Sequence, residues 1–340
     1  MKKALRKLLV SIGCLGIGLF LLGSTNLANG KDVDYPTKPV TCIYPFGAGG
    51  LGDVLTRALV DVSKKYLGQD IVYLNKAGGG GSIGTLWVIN SKPDGYTIGI
   101  GSGSGLFVVP FSEGAPYTDL SGFSFIMNFS DYVNPVIVRS DSPWKTWREF
   151  IDWARKNPGA VKVSVVGGKK QTCQGMVLRV IEQKEKVKFT YVPFKSGPEG
   201  TTALLGGYIN TWAQSIDVST YSLLDAGKIR VLLYMTADKM LGHESPPTTI
   251  ELYNFRTPNM LGFFGPKGIP EDALNKLEDA FTKGTRDPDF INVMKQLRMP
   301  SMYMNRDDTT KFVEKMFREN GELLKKLDKY EADEEAKGKK

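Results

Sequence analysis

Three times within the first third of the chain a short apolar stretch runs into a glycine-rich turn: Phe46-Gly47-Ala48-Gly49-Gly50, Gly78-Gly79-Gly80-Gly81-Ser82 and Gly101-Ser102-Gly103-Ser104-Gly105. The spacing of apolar residues after the first two marks a helix start. A strand that ends in glycine and opens a helix collects free backbone N–H groups and the positive end of a helix dipole at one point, which suits an anion. Repeating that unit builds a site mainly from main chain. It also commits this part of the chain to alternating strands and helices.

The alternation extends through most of the sequence. Val40–Tyr44 reads as a strand, and residues 52–67 place Val54, Leu55, Ala58, Leu59, Val62 and Tyr66 on one helical face behind Asp53. A strand is expected from Ile71 to Leu74, then a helix through Trp87 and Ile89. Pro93-Asp94-Gly95 is a turn into a strand over 96–100. A helix is expected over 145–157, stopped by Pro158-Gly159, followed by a strand at Val161–Val166 and a helix from Thr172. Further helices are expected over 197–205, 271–285 and 309–329. The last carries Phe312, Val313, Met316, Phe317, Leu324 and Leu327 on one side, and alanine at Gly321 is expected to leave ligand affinity untouched. Residues beyond Tyr330 read as a charged, frayed tail. This order is that of an α/β protein with helices packed on mostly parallel sheets.

The amino terminus indicates the compartment. Met1-Lys2-Lys3 through Arg6-Lys7 is basic, Leu8 to Leu22 is apolar, and Ala28-Asn29-Gly30 is a small-residue cleavage pattern, together a secretory leader over residues 1–30. A lipoprotein reading through Cys14 is weaker, because the apolar stretch before it is brief and continues past it. Cleavage removes Lys2, Lys3, Arg6 and Lys7, so the 44 Lys+Arg against 36 Asp+Glu of the whole chain become 40 against 36. A net charge of +4 without a basic, aromatic-laced stripe disfavours nucleic acid as a partner. Cys42 and Cys173 then remain, and they are expected to be separate thiols; with no CxxC motif, a structural zinc site has no support.

Longer stretches make a resemblance specific. Tyr35-Pro36-Thr37-Lys38-Pro39-Val40, Tyr44-Pro45-Phe46-Gly47-Ala48-Gly49-Gly50 with Asp53, and Leu67-Gly68-Gln69 come first. Asn75-Lys76-Ala77-Gly78-Gly79-Gly80-Gly81-Ser82-Ile83-Gly84 and Pro93-Asp94-Gly95-Tyr96-Thr97 follow. Val192-Pro193-Phe194-Lys195, Leu204-Leu205-Gly206-Gly207, Ala226-Gly227-Lys228-Ile229-Arg230 and Gly265-Pro266-Lys267-Gly268-Ile269-Pro270 continue the series. In this order they resemble the solute receptors of tripartite tricarboxylate transporters, the Bug family. The resemblance implies a periplasmic-binding-protein-like fold of type II, two α/β domains with a ligand cleft between them. It implies residues 31–128 with 252–340 as domain 1, and 129–251 as domain 2. It further implies a small carboxylate ligand, a membrane permease as partner, a monomeric receptor, and no cofactor, metal or enzymatic turnover.

Carried onto this sequence, the expected ligand residues are Tyr44, Phe46, Ala48, Gly49, Gly50, Asp53, Gly80, Ser82, Ser102 and Ser104 from the first domain. The facing domain would add Lys169, Lys170, Gln171, Thr172, Phe194, Gln214 and Ser215. Phe107 and Trp212 are further candidate walls, although aromatics in an α/β core more often pack than touch ligand. Close approach of backbone to a carboxylate leaves no room for a Cβ at Gly50. The second-domain loop departs from the family pattern of a glycine, a glycine-serine pair and a later histidine. Here it reads Gly167-Gly168-Lys169-Lys170-Gln171-Thr172-Cys173-Gln174, with Gln171 near the usual serine and Gln174 near the usual histidine. A lysine facing the cleft would set a cation against a ligand carboxylate; the alternative is that both point to solvent. Gln214-Ser215 stands where many relatives carry an acid, so a ligand ammonium group is disfavoured and a dicarboxylate favoured.

Rival readings are weaker. Gly47-Ala48-Gly49-Gly50-Leu51-Gly52 satisfies the dinucleotide pattern G-x-G-x-x-G. The acidic residue that should cap the next strand is missing, because Asp70 precedes that strand and Asn75-Lys76 follows it. The one histidine, His243, lies in a loop, and Ser102 and Ser104 have no base beside them, so nucleophilic catalysis has no machinery. A periplasmic sensor feeding a signalling receptor would share this fold and site, and the residues do not separate it from a transport receptor.

Overall fold

The computed structural model describes residues 34–338 except positions 167, 195, 214, 217 and 241. The leader over 1–30 and Gln214 therefore lie outside the described residues. Two twisted sheets organise the rest. The first runs β1 (Val40–Tyr44), α1 (Leu51–Leu67), β2 (Ile71–Asn75), α2 (Ser82–Ile89), β3 (Thr97–Ser102), α3 (Gly103–Phe107) and β4 (Phe123–Asp131). The second follows as β5 (Pro135–Arg139), α4 (Trp147–Lys156), β6 (Val161–Val166), α5 (Cys173–Glu185), β7 (Phe189–Phe194), α6 (Gly197–Leu205), β8 (Thr211–Ala213), α7 (Val218–Asp225) and β9 (Ile229–Tyr234). After α8 (Thr249–Tyr253) the chain returns to the first sheet as β10 (Met260–Pro266). It finishes with α9 (Glu271–Thr285), α10 (Pro288–Gln296), β11 (Ser301–Met304) and α11 (Arg306–Gly338).

Strand order in the first sheet is β11-β4-β10-β3-β1-β2, and in the second β7-β6-β8-β5-β9. Strands β1, β2 and β3 are parallel, as are β6, β7 and β8. The remaining pairings, β10 with β3 and β4, β11 with β4, and β5 with β8 and β9, are antiparallel. Central strand β1 is apolar because α/β layers cover both of its faces, and Cys42, Ile43 and Tyr44 are all buried. Helix α1 lays Leu51, Leu55, Leu59 and Val60 on the core and ends at Gly68, whose φ of 79° lets its N–H return to Lys64 O at 3.0 Å or less, 2.9 Å. The second sheet has its own core, in which Trp144, Trp147, Phe150 and Phe189 pack on Val136, Val161 and Val163.

The chain passes between the sheets at 132–134 and again at 254–259, and the two passages are tied together. Tyr132 N–H donates to Asn259 O at 3.2 Å, and Asn259 N–H donates to Asp131 Oδ1 at 2.8 Å. Helix α11 makes a third connection. It packs Leu324 and Leu327 against Val108 of the first lobe and against Cys173, Met176 and Val180 of the second. The helix runs on to Gly338, so the expected frayed tail after Tyr330 is corrected: Glu331 is paired with Arg179, and the exposed residues that follow continue the helix. At Gly321 a Cβ would lie 2.5 Å from the Phe111 ring. Cys42 and Cys173 are both free and fully buried, each on its own lobe.

Candidate functional site

In parallel α/β sheets the strand ends leave open a crevice where ligands bind. Here the turns that follow β2 and β3 meet the start of α5, the helix that follows β6. The first turn, Pro45 to Gly50, is held by Asp53. Asp53 Oδ2 accepts Gly49 N–H at 3.0 Å, and Oδ1 accepts Asn75 Nδ2 at 2.8 Å and Arg57 at 3.3 Å. Asn75 also donates to Phe46 O at 3.2 Å. Burial alone would raise the Asp53 pKa, but the Asn75 and Gly49 hydrogen bonds and the Arg57 charge outweigh it and hold the carboxyl below its ordinary range. Asp53 is 3% exposed, and both of its carboxylate oxygens accept hydrogen bonds that shape the turn.

Gly49, with φ of 86°, is the residue of this turn that needs a left-handed backbone; Gly50 is extended at φ −72° and ψ 160°, and a Cβ there meets nothing within 4 Å. Gly52 explains the dinucleotide-like spacing by packing: a Cβ there would overlap the hydroxyl of Tyr132, which lies 3.0 Å from the Tyr44 hydroxyl. Tyr44 is buried beneath the turn, and Phe107 and Trp212 are core residues, whereas Phe46 and Phe194 are half-buried at strand ends. Ala48 and Gly49 are exposed.

The second turn holds four consecutive left-handed glycines, Gly78 to Gly81, with φ of 135°, 56°, 64° and 99°. Side chains are strained at each of these angles, so the composition of this turn is dictated by its path. It delivers the chain to Ser82, the buried first residue of α2. At Gly80 the lobes meet: a Cβ there would stand 3.4 Å from Gln171 O and 3.6 Å from Gln171 Cβ. The third turn joins them by hydrogen bonds. Ser102 caps α3 through Gly105 N–H at 3.2 Å, while Ser104 Oγ accepts Cys173 N–H at 3.1 Å across the cleft. Ser112 Oγ donates to Lys170 O at 3.1 Å.

On the second lobe, Thr172 caps α5, accepting Gly175 N–H at 3.1 Å and donating to Gly168 O at 3.1 Å. Gln171 is exposed toward the facing turn. Lys169 and Lys170 both reach carboxylates, and Lys170 remains exposed to solvent. Lys169 Nζ lies 3.2 Å from Glu182 and 3.0 Å from Glu331, and Lys170 Nζ 3.5 Å from Glu331.

Between the lobes lies a neutral polar floor. Gln174 Nε2 donates to Asn134 Oδ1 at 3.2 Å and to Ser215 Oγ at 3.3 Å, and Ser215 Oγ donates to Asn134 Oδ1 at 2.7 Å. Asn259 Nδ2 donates to Ser215 Oγ at 3.2 Å. Beneath it burial pushes the Asp131 carboxyl up to about 7, against the Asn259 N–H that it accepts. Sequence reasoning reached Ser215 and Gln174 but missed Tyr132, Asn134, Ser112 and Asn259, whose segments carry no glycine turn or helical spacing to mark them.

Among the described residues no group of three or more His, Cys, Asp or Glu could hold a metal ion. His243 pairs with Asp225 at 3.0 Å, beside an open depression of about 520 Å³ on the second lobe that none of the expected ligand residues lines. Among the described residues no helix is long and apolar enough to cross a membrane.

Comparison with known proteins agrees with this geometry. The profile of the tripartite tricarboxylate transporter family receptor matches residues 55–329. A UPF0065 protein from the gbd 5' region of Cupriavidus necator is 28% identical over 294 residues, spanning 86% of this chain and 88% of the relative. The solved periplasmic binding protein BugD is 25% identical, with a TM-score of 0.76 over 86% of this chain and 98% of BugD. Two Rhodopseudomonas palustris proteins share the fold at 22% identity. MatC, solved with bound malate, has a TM-score of 0.75 over 85% of this chain and 100% of its own. The other, solved with adipate, has a TM-score of 0.77 over 86% of this chain and 98% of its own. Matched over so much of its length, the chain belongs to the tripartite tricarboxylate transporter receptor family, also called the Bug family.

Proposed function

We propose that this chain is a periplasmic receptor that captures a small dicarboxylate between its lobes and presents it to the permease of a tripartite tricarboxylate transporter. The observation that carries this reading is the meeting of the glycine turn at Gly80 with Gln171, where a left-handed glycine run ahead of α2 faces the second lobe. Carboxylate oxygens would accept N–H groups of the turns ahead of α1 and α2, where the helix dipoles favour negative charge. The floor of Asn134, Gln174, Ser215 and Asn259 offers amides and a hydroxyl without a carboxylate of its own. It therefore favours a carboxylate or hydroxyl over an ammonium group. Malate and adipate, seen in proteins of the same fold, are ligands of this chemistry. Closure brings Gln171 onto Gly80 and buries the ligand, and the permease reads the closed face.

The test is mass spectrometry of ligand carried through native purification, followed by a thermal-shift screen of mono- and dicarboxylates. A native-state ligand at a hundredfold excess over its Kd adds about 2.7 kcal/mol of stability. Stabilisation by acids but not by their amides or esters is the expected result. Equal stabilisation by the amides and esters overturns a site centred on carboxylates.

A further inference from the structure

Helix α11 reaches the second lobe at a point where three cations converge on one carboxylate. Glu331 Oε1 accepts Arg179 Nε at 2.9 Å and lies 3.0 Å from Lys169 Nζ, while Oε2 stands 3.5 Å from Lys170 Nζ. Arg179 is buried, with its side chain 2% exposed, and it pairs as well with Asp328 one turn earlier on α11. Burial opposes ionisation of Glu331, but Arg179 and Lys169 prevail and hold its carboxyl below the ordinary range. Lys169 and Lys170 directly precede Gln171 and Thr172, so the carboxylate grips the ligand-facing loop from behind. The remainder of α11 is fixed to the first lobe: Thr309 Oγ1 donates to Met304 O at 3.1 Å, Val313 is buried in the first-lobe core, and Gly321 lies against Phe111.

We propose that Glu331 is a positioning residue for ligand capture, acting through Lys169 and Lys170 to hold the Gly168–Thr172 loop where Gln171 meets Gly80. The loop sequence explains why such a grip is needed here. A pair of adjacent lysines beside a site for anions would swing as long flexible chains and repel one another; anchoring both on α11 fixes the loop and removes that freedom. Glu331 lies past the residues 55–329 that match the family profile, in the stretch whose charged composition reads as a tail. The ligand-binding part of this proposal rests on the receptor reading above, whereas the loop-holding part stands on the contacts alone.

Two variants approach the contact from opposite sides, Glu331→Gln and Lys169→Gln, together with their double. Hydrogen–deuterium exchange of the full chain without added ligand reads the loop directly. Amides of 168–172 are expected to exchange about tenfold faster in each variant, while amides of β1 and β6 keep the parent rate and so report an intact fold. Malate and adipate are then titrated by calorimetry at low and high salt. Whichever binds the parent is expected to bind each single variant about tenfold more weakly, with little further loss in the double, as coupled partners require. Parent-like exchange at 168–172 in both single variants overturns the proposal, as does additive loss of affinity. If neither dicarboxylate binds the parent, the dicarboxylate reading has failed, and the exchange rates alone still decide whether Glu331 holds the loop.

Discussion

Replacing Asp53 by Asn removes one charge and almost no volume, and its effect can be worked from the contacts of the first turn. The carboxylate receives Gly49 N–H on one oxygen and Asn75 on the other, with Arg57 beside it. An amide keeps one acceptor, so its NH₂ must confront either Gly49 N–H or the Asn75 amide. Asn75 cannot rotate to help without giving up its bond to Phe46 O at 3.2 Å. One charge-assisted hydrogen bond is therefore lost and a buried donor is opposed, a cost of about 2–4 kcal/mol. If the turn keeps its shape, the loss appears in the free energy of unfolding; if the turn gives way, it appears in affinity, because only the shaped fraction binds. Urea unfolding and calorimetry on one dicarboxylate measure both, and the two losses together should reach at least 2 kcal/mol, on the order of the lost bonds. The sign with pH follows from the depressed carboxyl. Its contribution is present above the unfolded pKa of about 3.9 and is lost as pH falls through the lower folded value, so parent and variant should converge in acid. A variant within about 0.5 kcal/mol of the parent by both measures at neutral pH, a difference typical of an unimportant surface change, would falsify the brace.

Gly80→Ala imposes a strained φ of 64° against Gln171 and should weaken dicarboxylate binding by about tenfold, whereas Gly227→Ala, at the same φ with open space around it, should cost similar stability and leave calorimetric affinity unchanged. Gly321→Ala drives a methyl into the Phe111 ring and should lower stability by about 1–3 kcal/mol, partly restored by Phe111→Leu; a parent-like urea midpoint for the single variant refutes that close approach. The Asp131 carboxyl is raised to about 7, so its contribution is full below the unfolded pKa of about 4 and is lost as pH rises through the folded value. Asp131→Asn, which retains an acceptor for Asn259 N–H, should therefore flatten the fall in stability between about pH 4 and about pH 7, the window set by those two values, and an unchanged slope counts against it.

The sequence was readable where structure is set locally. Strands β1 and β6 and helices α6 and α9 have the bounds that their apolar spacing and flanking turns indicate, and the left-handed path of Gly78–Gly81 is written directly in glycine. Strands β4, β5 and β10 were not readable, because they are buried on both faces, so no alternation marks them. At the site, the turns and capping serines could be named in advance. The polar floor could not, because its bonds join positions as distant as Asp131 and Asn259, 128 residues apart, and nothing local to either announces the other. The lysines of the second-lobe loop show the same limit: their partners are on α11, far along the chain.

The two cysteines among the described residues have a practical consequence. Cys42 and Cys173 are fully buried, and burial raises both thiols, that of Cys173 up to about 12, so almost no reactive thiolate forms at neutral pH. Maleimide dyes should therefore pass over them and react with cysteines introduced on exposed positions of the two lobes. Opening and closing can then be followed as energy transfer between a donor and an acceptor on otherwise native protein, one molecule at a time, with both original sulfur atoms left in place.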